Sequence, residues 1–204
     1  MRKVDKKTWD ETQEYTEFKR LAPGGYICVI LNVTDFQQKE YLKIEYDIVK
    51  GDEKKYFTHQ YESDNRKDKK WPNAGTIYRS YKDNALSMFK GFITAITESN
   101  KNFSWDWDEQ VLKNKYFGAI IGEEEYLNQK GQKRVRNYVV SVRSIPTIES
   151  GDFDIPELKK LDETKTTTNN SNAVIDPFEA TDNNNDDSVP PFETSNEPDP
   201  FENF

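Results

Sequence analysis

Cysteine and histidine are almost missing from this chain of 204 residues, which has one of each, Cys28 and His59. A lone cysteine excludes an internal disulfide, and so few soft ligands exclude a Cys/His zinc site. Cys28 lies in an apolar run and reads as a core thiol, His59 as an imidazole on a sheet face. No apolar stretch approaches the roughly 18 residues needed to span a bilayer, and the opening Met1-Arg2-Lys3-Val4-Asp5 lacks the apolar segment of a secretory signal. A soluble, cytoplasmic protein with no membrane contact is the expectation. The glycine-rich phosphate loop, the nucleophile elbow and metal-ligand spacings are also missing. No catalytic residue, metal or cofactor is expected, so the chain does not read as an enzyme.

Charge, by contrast, is abundant and unevenly placed. Residues 162–204 hold one base, Lys165, against eleven acids, a net of −10, whereas residues 1–161 come to about +2. The overall −8 therefore conceals a mildly basic body that a polyanion could approach. The Asn/Thr/Asp-rich composition beyond Leu161 cannot bury a core and predicts a disordered tail. Within it, Asp176-Pro177-Phe178-Glu179, Asp186-Asp187-Ser188-Val189-Pro190-Pro191-Phe192-Glu193 and Asp199-Pro200-Phe201-Glu202-Asn203-Phe204 repeat acid, proline and phenylalanine. Phe178, Phe192, Phe201 and Phe204 are isolated aromatics suited to pockets on partner proteins.

The body carries the periodicities of a folded domain. Residues 8–20 suit a short leading helix or arm, and Leu21-Ala22-Pro23-Gly24-Gly25 a turn. Residues 26–36 predict a strand with Ile27, Val29, Leu31 and Val33 on one face. Residues 41–49 alternate strictly, Leu42, Ile44, Tyr46 and Ile48 inward and Tyr41, Lys43, Glu45 and Asp47 outward. Residues 54–61 read as a third strand presenting Lys55, Phe57, His59 and Tyr61, and residues 62–82 as a basic, aromatic loop. Leu86, Phe89, Ile93 and Ile96 recur at helical spacing, so residues 83–98 predict a helix capped by Asp83. A second hairpin is expected from residues 116–126 and 134–145, with Pro146 and Pro156 closing the domain. Asp106 could open a short helix running to Leu112.

Three strands, a helix and two strands is the plan of a five-stranded OB-fold, a mainly β barrel with one main helix, although other small α+β meanders fit the same periods. The expected organisation is an arm over residues 1–20, the OB-fold over 21–161 and the acidic tail over 162–204. Rings and cations interleave along this body: Tyr41 and Lys43; Lys55, Phe57 and Tyr61; Lys69, Lys70 and Trp71; Arg79 and Tyr81; Lys133, Arg134, Arg136 and Tyr138. Flat rings on which bases stack, with cations along the phosphates, are what sequence-independent binding of single-stranded nucleic acid requires. The same aromatics could instead fill a barrel, and the arginines could be a solvated strand edge. Trp105-Asp106-Trp107-Asp108-Glu109 offers paired carboxylates, but its place before a helical stretch favours capping over metal chemistry. Glu123-Glu124-Glu125 reads as a solvated hairpin end.

The tail resembles the acidic tip of bacterial single-stranded DNA-binding proteins, most closely through Asp186-Asp187-Ser188-Val189-Pro190-Pro191-Phe192. The body resembles single-stranded DNA-binding proteins of bacteriophages of Gram-positive hosts through Leu21-Ala22-Pro23-Gly24-Gly25-Tyr26, Trp71-Pro72-Asn73-Ala74-Gly75, Arg79-Ser80-Tyr81-Lys82 and Gly122-Glu123-Glu124-Glu125-Tyr126. The resemblance implies an OB-fold that coats exposed strands in phage DNA replication or recombination, in the cytoplasm of an infected host. It also implies a tail that recruits replication, recombination and repair proteins, a terminal Phe entering an apolar pocket while its carboxylate meets a basic residue. Glu202-Asn203 departs from the Ile-Pro-Phe ending, which leaves all three copies as candidates for the tip. An adaptor working through Asp-Pro-Phe repeats and an RNA-binding OB module are the alternatives. A homo-oligomer stays open.

Overall fold

The computed structural model describes residues 2–11, 19–128 and 130–161. A short helix, α1 (Lys6–Glu11), precedes β1 (Gly24–Phe36) and β2 (Tyr41–Ile48), joined by a 3-10 turn at Gln37–Lys39. Then follow α2 (Tyr56–Glu62), β3 (Thr76–Ser80), α3 (Leu86–Ser99), β4 (Tyr116–Leu127), β5 (Lys133–Arg143) and α4 (Ile145–Ser150). The strands form one antiparallel sheet in the order β3-β2-β1-β4-β5. The sheet is open, with β3 and β5 as its edges, so the expected closed barrel is not formed by a continuous ladder. The 3-10 turn Asn73–Gly75 packs against β5, and the Tyr46 hydroxyl donates to Ala74 O at 2.7 Å. Among the described residues no helix is long and apolar enough to cross a membrane.

Alternation accounts for the main core. Leu42, Ile44, Tyr46 and Ile48 of β2 meet Phe117, Ala119 and Ile121 of β4 and the stripe Phe89, Phe92 and Ile96 of α3. Ile93 is half-buried beside that stripe, while Leu86 lies toward solvent. β1 is buried on both faces: Cys28 and Ile30 join this core, whereas Ile27, Val29 and Leu31 join Val49 and Ile145 of α4 in a smaller one on the opposite side. Ile30 pairs with Tyr46 and Asn32 with Glu45, so Leu31 is an extra residue in the ladder. This bulge flips the strand's facing, because side chains alternate with period two. Val33 therefore joins Cys28 and Ile30 rather than Ile27, Val29 and Leu31. Cys28 is a fully buried core thiol, and burial pushes its pKa well up.

Residues 54–61 are not a strand. Asp47 is buried rather than outward, and its Oδ1 accepts the N–H groups of Ile48 (2.8 Å) and Phe57 (2.9 Å). Its Oδ2 accepts Thr58 N (2.8 Å) and Thr58 Oγ1 (2.6 Å). A strand carboxylate thus caps the first turn of α2 from across the fold, satisfying donors that the N-cap residue Lys55 leaves without a side-chain acceptor. Phe57 is driven into the core, edge-on to Tyr46 at 5.4 Å, and His59 points to solvent from the helix. The third strand instead lies inside the expected loop, at Thr76–Ser80. Asp83 provides no side-chain cap, since α3 is entered through the 3-10 turn Asp83–Ala85.

The last described stretch straps the far side of the sheet. Ile148 lies over Gly118 and Phe153 over Gly25, each so close that an added Cβ would sit within 3.0 Å of it, and Pro156 covers Gly122 at 3.3 Å from that position. Lys159 then bridges β4, donating its N–H to Glu123 O and accepting from Glu125 N. The tail expected over residues 162–204, with its four phenylalanines, lies outside the described residues, as does most of the leading segment beyond Glu11.

Candidate nucleic-acid interface

Strand pairing sets three rows across the face of β1–β2–β3 that turns away from the main core. They are Phe36–Tyr41–Ser80, Thr34–Lys43–Tyr78 and Asn32–Glu45–Thr76. The rings of Phe36 and Tyr41 stack at 4.9 Å with planes 19° apart, and Tyr78 meets Tyr41 edge-on at 5.7 Å. Tyr41 is only 7% exposed because its two neighbours cover it, so the half-buried Phe36 and Tyr78 supply the reachable ring surface. Lys43, opposite Tyr78, pairs with Glu45 at 3.2 Å, and Glu45 also accepts from Asn32 Nδ2 at 3.2 Å. The turn at the end of this face is tied down by Glu40, left-handed at φ 56°, whose carbonyl accepts from Ser80 Oγ and Tyr81 N.

A second ring-and-cation group forms where α2 meets the loop after it. Lys69 Nζ stands 4.4 Å from the Tyr61 ring centre, and Tyr61 lies 5.7 Å from Trp71. Trp71 is held by its Nε1 donating to Gly75 O at 3.0 Å. Lys70 is exposed beside it, and Lys55 is the left-handed residue leading into α2. Arg66 is engaged by Asp64 at 2.6 Å, which holds the Asp64 carboxyl down to about 2.

The β4–β5 hairpin offers a third group whose charge is largely countered. Arg136 lies 5.1 Å over Tyr126 and donates from Nε to Glu124 Oε1 at 2.9 Å. Lys159 meets Glu124 at 3.2 Å and covers Tyr138 at 5.5 Å, while Lys133 meets Glu125 at 3.3 Å and Arg20 meets Glu123 at 3.6 Å. The triplet Glu123-Glu124-Glu125 is therefore a half-buried row of counter-ions, not a solvated hairpin end. A bond from Leu161 N and the ammonium of Lys133 hold Glu125 low. Arg134 remains exposed, with Nη2 donating to Gln132 Oε1 at 3.4 Å.

Other residues singled out from the sequence turn elsewhere. Phe57, fully buried, cannot stack on a base. Arg79 pairs with Leu42 on the core side and lies 5.6 Å over Phe92. Its Nη1 donates to Tyr78 O, its Nε has no acceptor among the described residues, and burial pulls its pKa down to about 10. Tyr81 packs on Phe89 at 6.3 Å. Its hydroxyl donates to Asp35 Oδ1 at 2.9 Å, and desolvation, then that carboxylate, push it up to about 12. In the Trp105 to Glu109 segment, Asp108 Oδ1 caps the 3-10 turn Glu109–Leu112 by accepting Gln110 N at 2.9 Å.

Phe36 and Tyr78 were not among the sequence-derived site residues. Phe36 mirrors Tyr41 across the three-residue turn, a signal present in the sequence, whereas Tyr78 acquires its facing only once β3 exists. The chain matches no protein-family model, and no curated protein matches it.

Proposed function

We propose that this protein binds single-stranded DNA without sequence preference and without reaction. The observation that carries the reading is the Phe36–Tyr41–Tyr78 ring cluster with Lys43 on the outer face of β1–β2–β3. Stacked rings at a sheet surface offer bases a flat, sequence-tolerant partner worth about 1–3 kcal/mol each, and a neighbouring ammonium can meet the phosphates. The fold reading that accompanies it is a partly open OB barrel: five antiparallel strands with α3 between the third and fourth. In such barrels the face of the second and third strands and the adjoining loops hold oligonucleotides. Tyr61, Lys69 and Trp71, with Lys70, are a second surface of the same chemistry.

The biological setting follows from the resemblance of tail and body: coating exposed strands in phage replication or recombination, while Phe178, Phe192, Phe201 and Phe204 recruit partner proteins. Fluorescence anisotropy with labelled oligothymidylate tests the binding. Tyr78→Ala and Phe36→Ala are each expected to weaken it about tenfold, given the worth of one stacked base. Unchanged affinity in both would overturn the platform. Tighter binding of RNA of equal length favours the RNA module, and no affinity for either polymer favours the adaptor.

A further inference from the structure

The loop between α3 and β4 encloses one side of an open groove of about 700 Å³. Lys101, Lys113 and Lys115 line it together with the rings of Phe103 and Tyr116, and no aspartate or glutamate does. Lys115 Nζ lies 5.9 Å from the centre of the Phe103 ring. The carboxylates of the preceding segment stay off the lining, and Asp108 is engaged as a cap. The groove is firmly built. Asn100 Nδ2 donates to Ile96 O (2.7 Å) and Tyr116 O (2.8 Å), its Oδ1 accepts Tyr116 N (3.0 Å), and Ser99 Oγ accepts Ile145 N (3.0 Å). The ammonium groups of Lys101 and Lys115 and two rings, in a groove that no aspartate or glutamate lines, fit an anion that carries a flat apolar part.

The position of the groove identifies that anion. β4 pairs with β1 only as far as Val29, and the lysine loop continues along the same edge. Asn114 N donates to Ile30 O, and Ile30 N donates to Lys115 O, both at 2.9 Å. Asn32, the first residue of the ring-bearing face on β1, is two positions further on. Lys113 and Lys115 therefore border the β1 edge at which a nucleic acid crossing from β3 through β2 to β1 would leave the platform, and Lys101 lines the same groove.

We propose that the groove of Lys101, Lys113, Lys115, Phe103 and Tyr116 is a second segment of the single-stranded DNA path, holding the phosphates of nucleotides that run off the β1 edge. This inference rests on the platform reading. It makes the groove matter for long strands and not for strands that fill the platform alone.

The test uses the full chain and oligothymidylates of about 6 and about 30 nucleotides, site sizes in this fold running from about 4 to 16. Lys101→Gln/Lys115→Gln is expected to weaken the long strand about tenfold at low salt and to leave the short one unchanged. Each lost phosphate contact lowers the salt slope by about 0.7, so the double variant should fall by about 1.4 and Lys101→Gln, at an exposed position, by about half that. If wild type binds both lengths and the variants match it in affinity and slope, the groove is overturned while the platform stands. Equal losses on both lengths also overturn it, since the lysines would then act on the platform itself. A wild-type protein that binds neither length overturns the platform reading, and the groove with it.

Discussion

Asp47 lies on the side of β2 where alternation expects solvent, yet it is buried because four donors converge on its carboxylate. Asp47→Ala would leave Phe57 N, Thr58 N and the Thr58 hydroxyl without acceptors, and a loss of about 2–4 kcal/mol is expected in urea denaturation. Its pH dependence has a definite sign. Burial raises the carboxyl above the ordinary 3.8 and outweighs the hydrogen bonds that pull it down. The folded chain then keeps this proton where the unfolded chain has lost it, so the contribution of Asp47 to stability falls as pH rises from 3.8 through the raised value and is level above. Stability of wild type minus Asp47→Asn, followed across that window, should slope downward; an upward slope would show the hydrogen bonds to dominate. Arg79 makes the opposite case, a half-buried cation over Phe92 whose buried Nε has no acceptor among the described residues. Replacing a poorly compensated buried charge by an apolar side chain is often neutral or stabilising. Arg79→Met is expected to raise stability by about 0–3 kcal/mol and to leave oligothymidylate affinity unchanged, whereas a loss of affinity would place the guanidinium in the site.

Among the elements, β2 and α3 were legible because each follows one period, and β1, β4 and β5 because each is a run rich in β-branched and aromatic residues bounded by turn signals. α2 was not: Phe57 and Tyr61 are four apart, a spacing that a strand of period two and a helix share. What decides between them is Asp47, ten residues earlier, which no local window contains. β3 was missed because it is five residues long and Arg79 occupies an inward position, so its pattern of facing is broken. The strap formed by α4 and the residues after it depends on β-strand glycines. At Gly118 a Cβ would lie 2.3 Å from Ile148 Cγ1 and about 3 Å from two backbone carbonyls, whereas at Gly24 it would meet nothing within 4 Å. Gly118→Ala is therefore expected to cost about 1–3 kcal/mol in thermal or urea unfolding and Gly24→Ala well under 1; equal effects would mean that the strap yields without resistance.

For the whole molecule, charge is the controlling quantity. Under the proposed function, residues 162–204, with a net charge of −10 against about +2 for residues 1–161, act as a tethered competitor for the cationic surface. Deleting residues 162–204 is accordingly expected to tighten binding to oligothymidylate, most at low salt, because tail and strand compete for the same ammonium groups. Equal affinities of truncated and full-length protein across a salt series would exclude that competition. The paired hairpin, where Glu123, Glu124 and Glu125 meet Arg20, Lys133, Arg136 and Lys159, leaves less positive charge than the count of cations suggests.

Composition and periodicity, which act over a few neighbouring residues, were enough to make the described body mainly β and to draw four of its five strands and its long helix. They placed rings and cations together in the chain but not on one surface. Facing was settled by contacts between distant segments: the bulge at Leu31 that turned Val33, the carboxylate of Asp47 that wound residues 56–62 into a helix, and the pairing of β3 with β2 that set Tyr78 beside Tyr41. Such contacts join residues far apart along the chain, and their energies exist only once the sheet has brought them within reach.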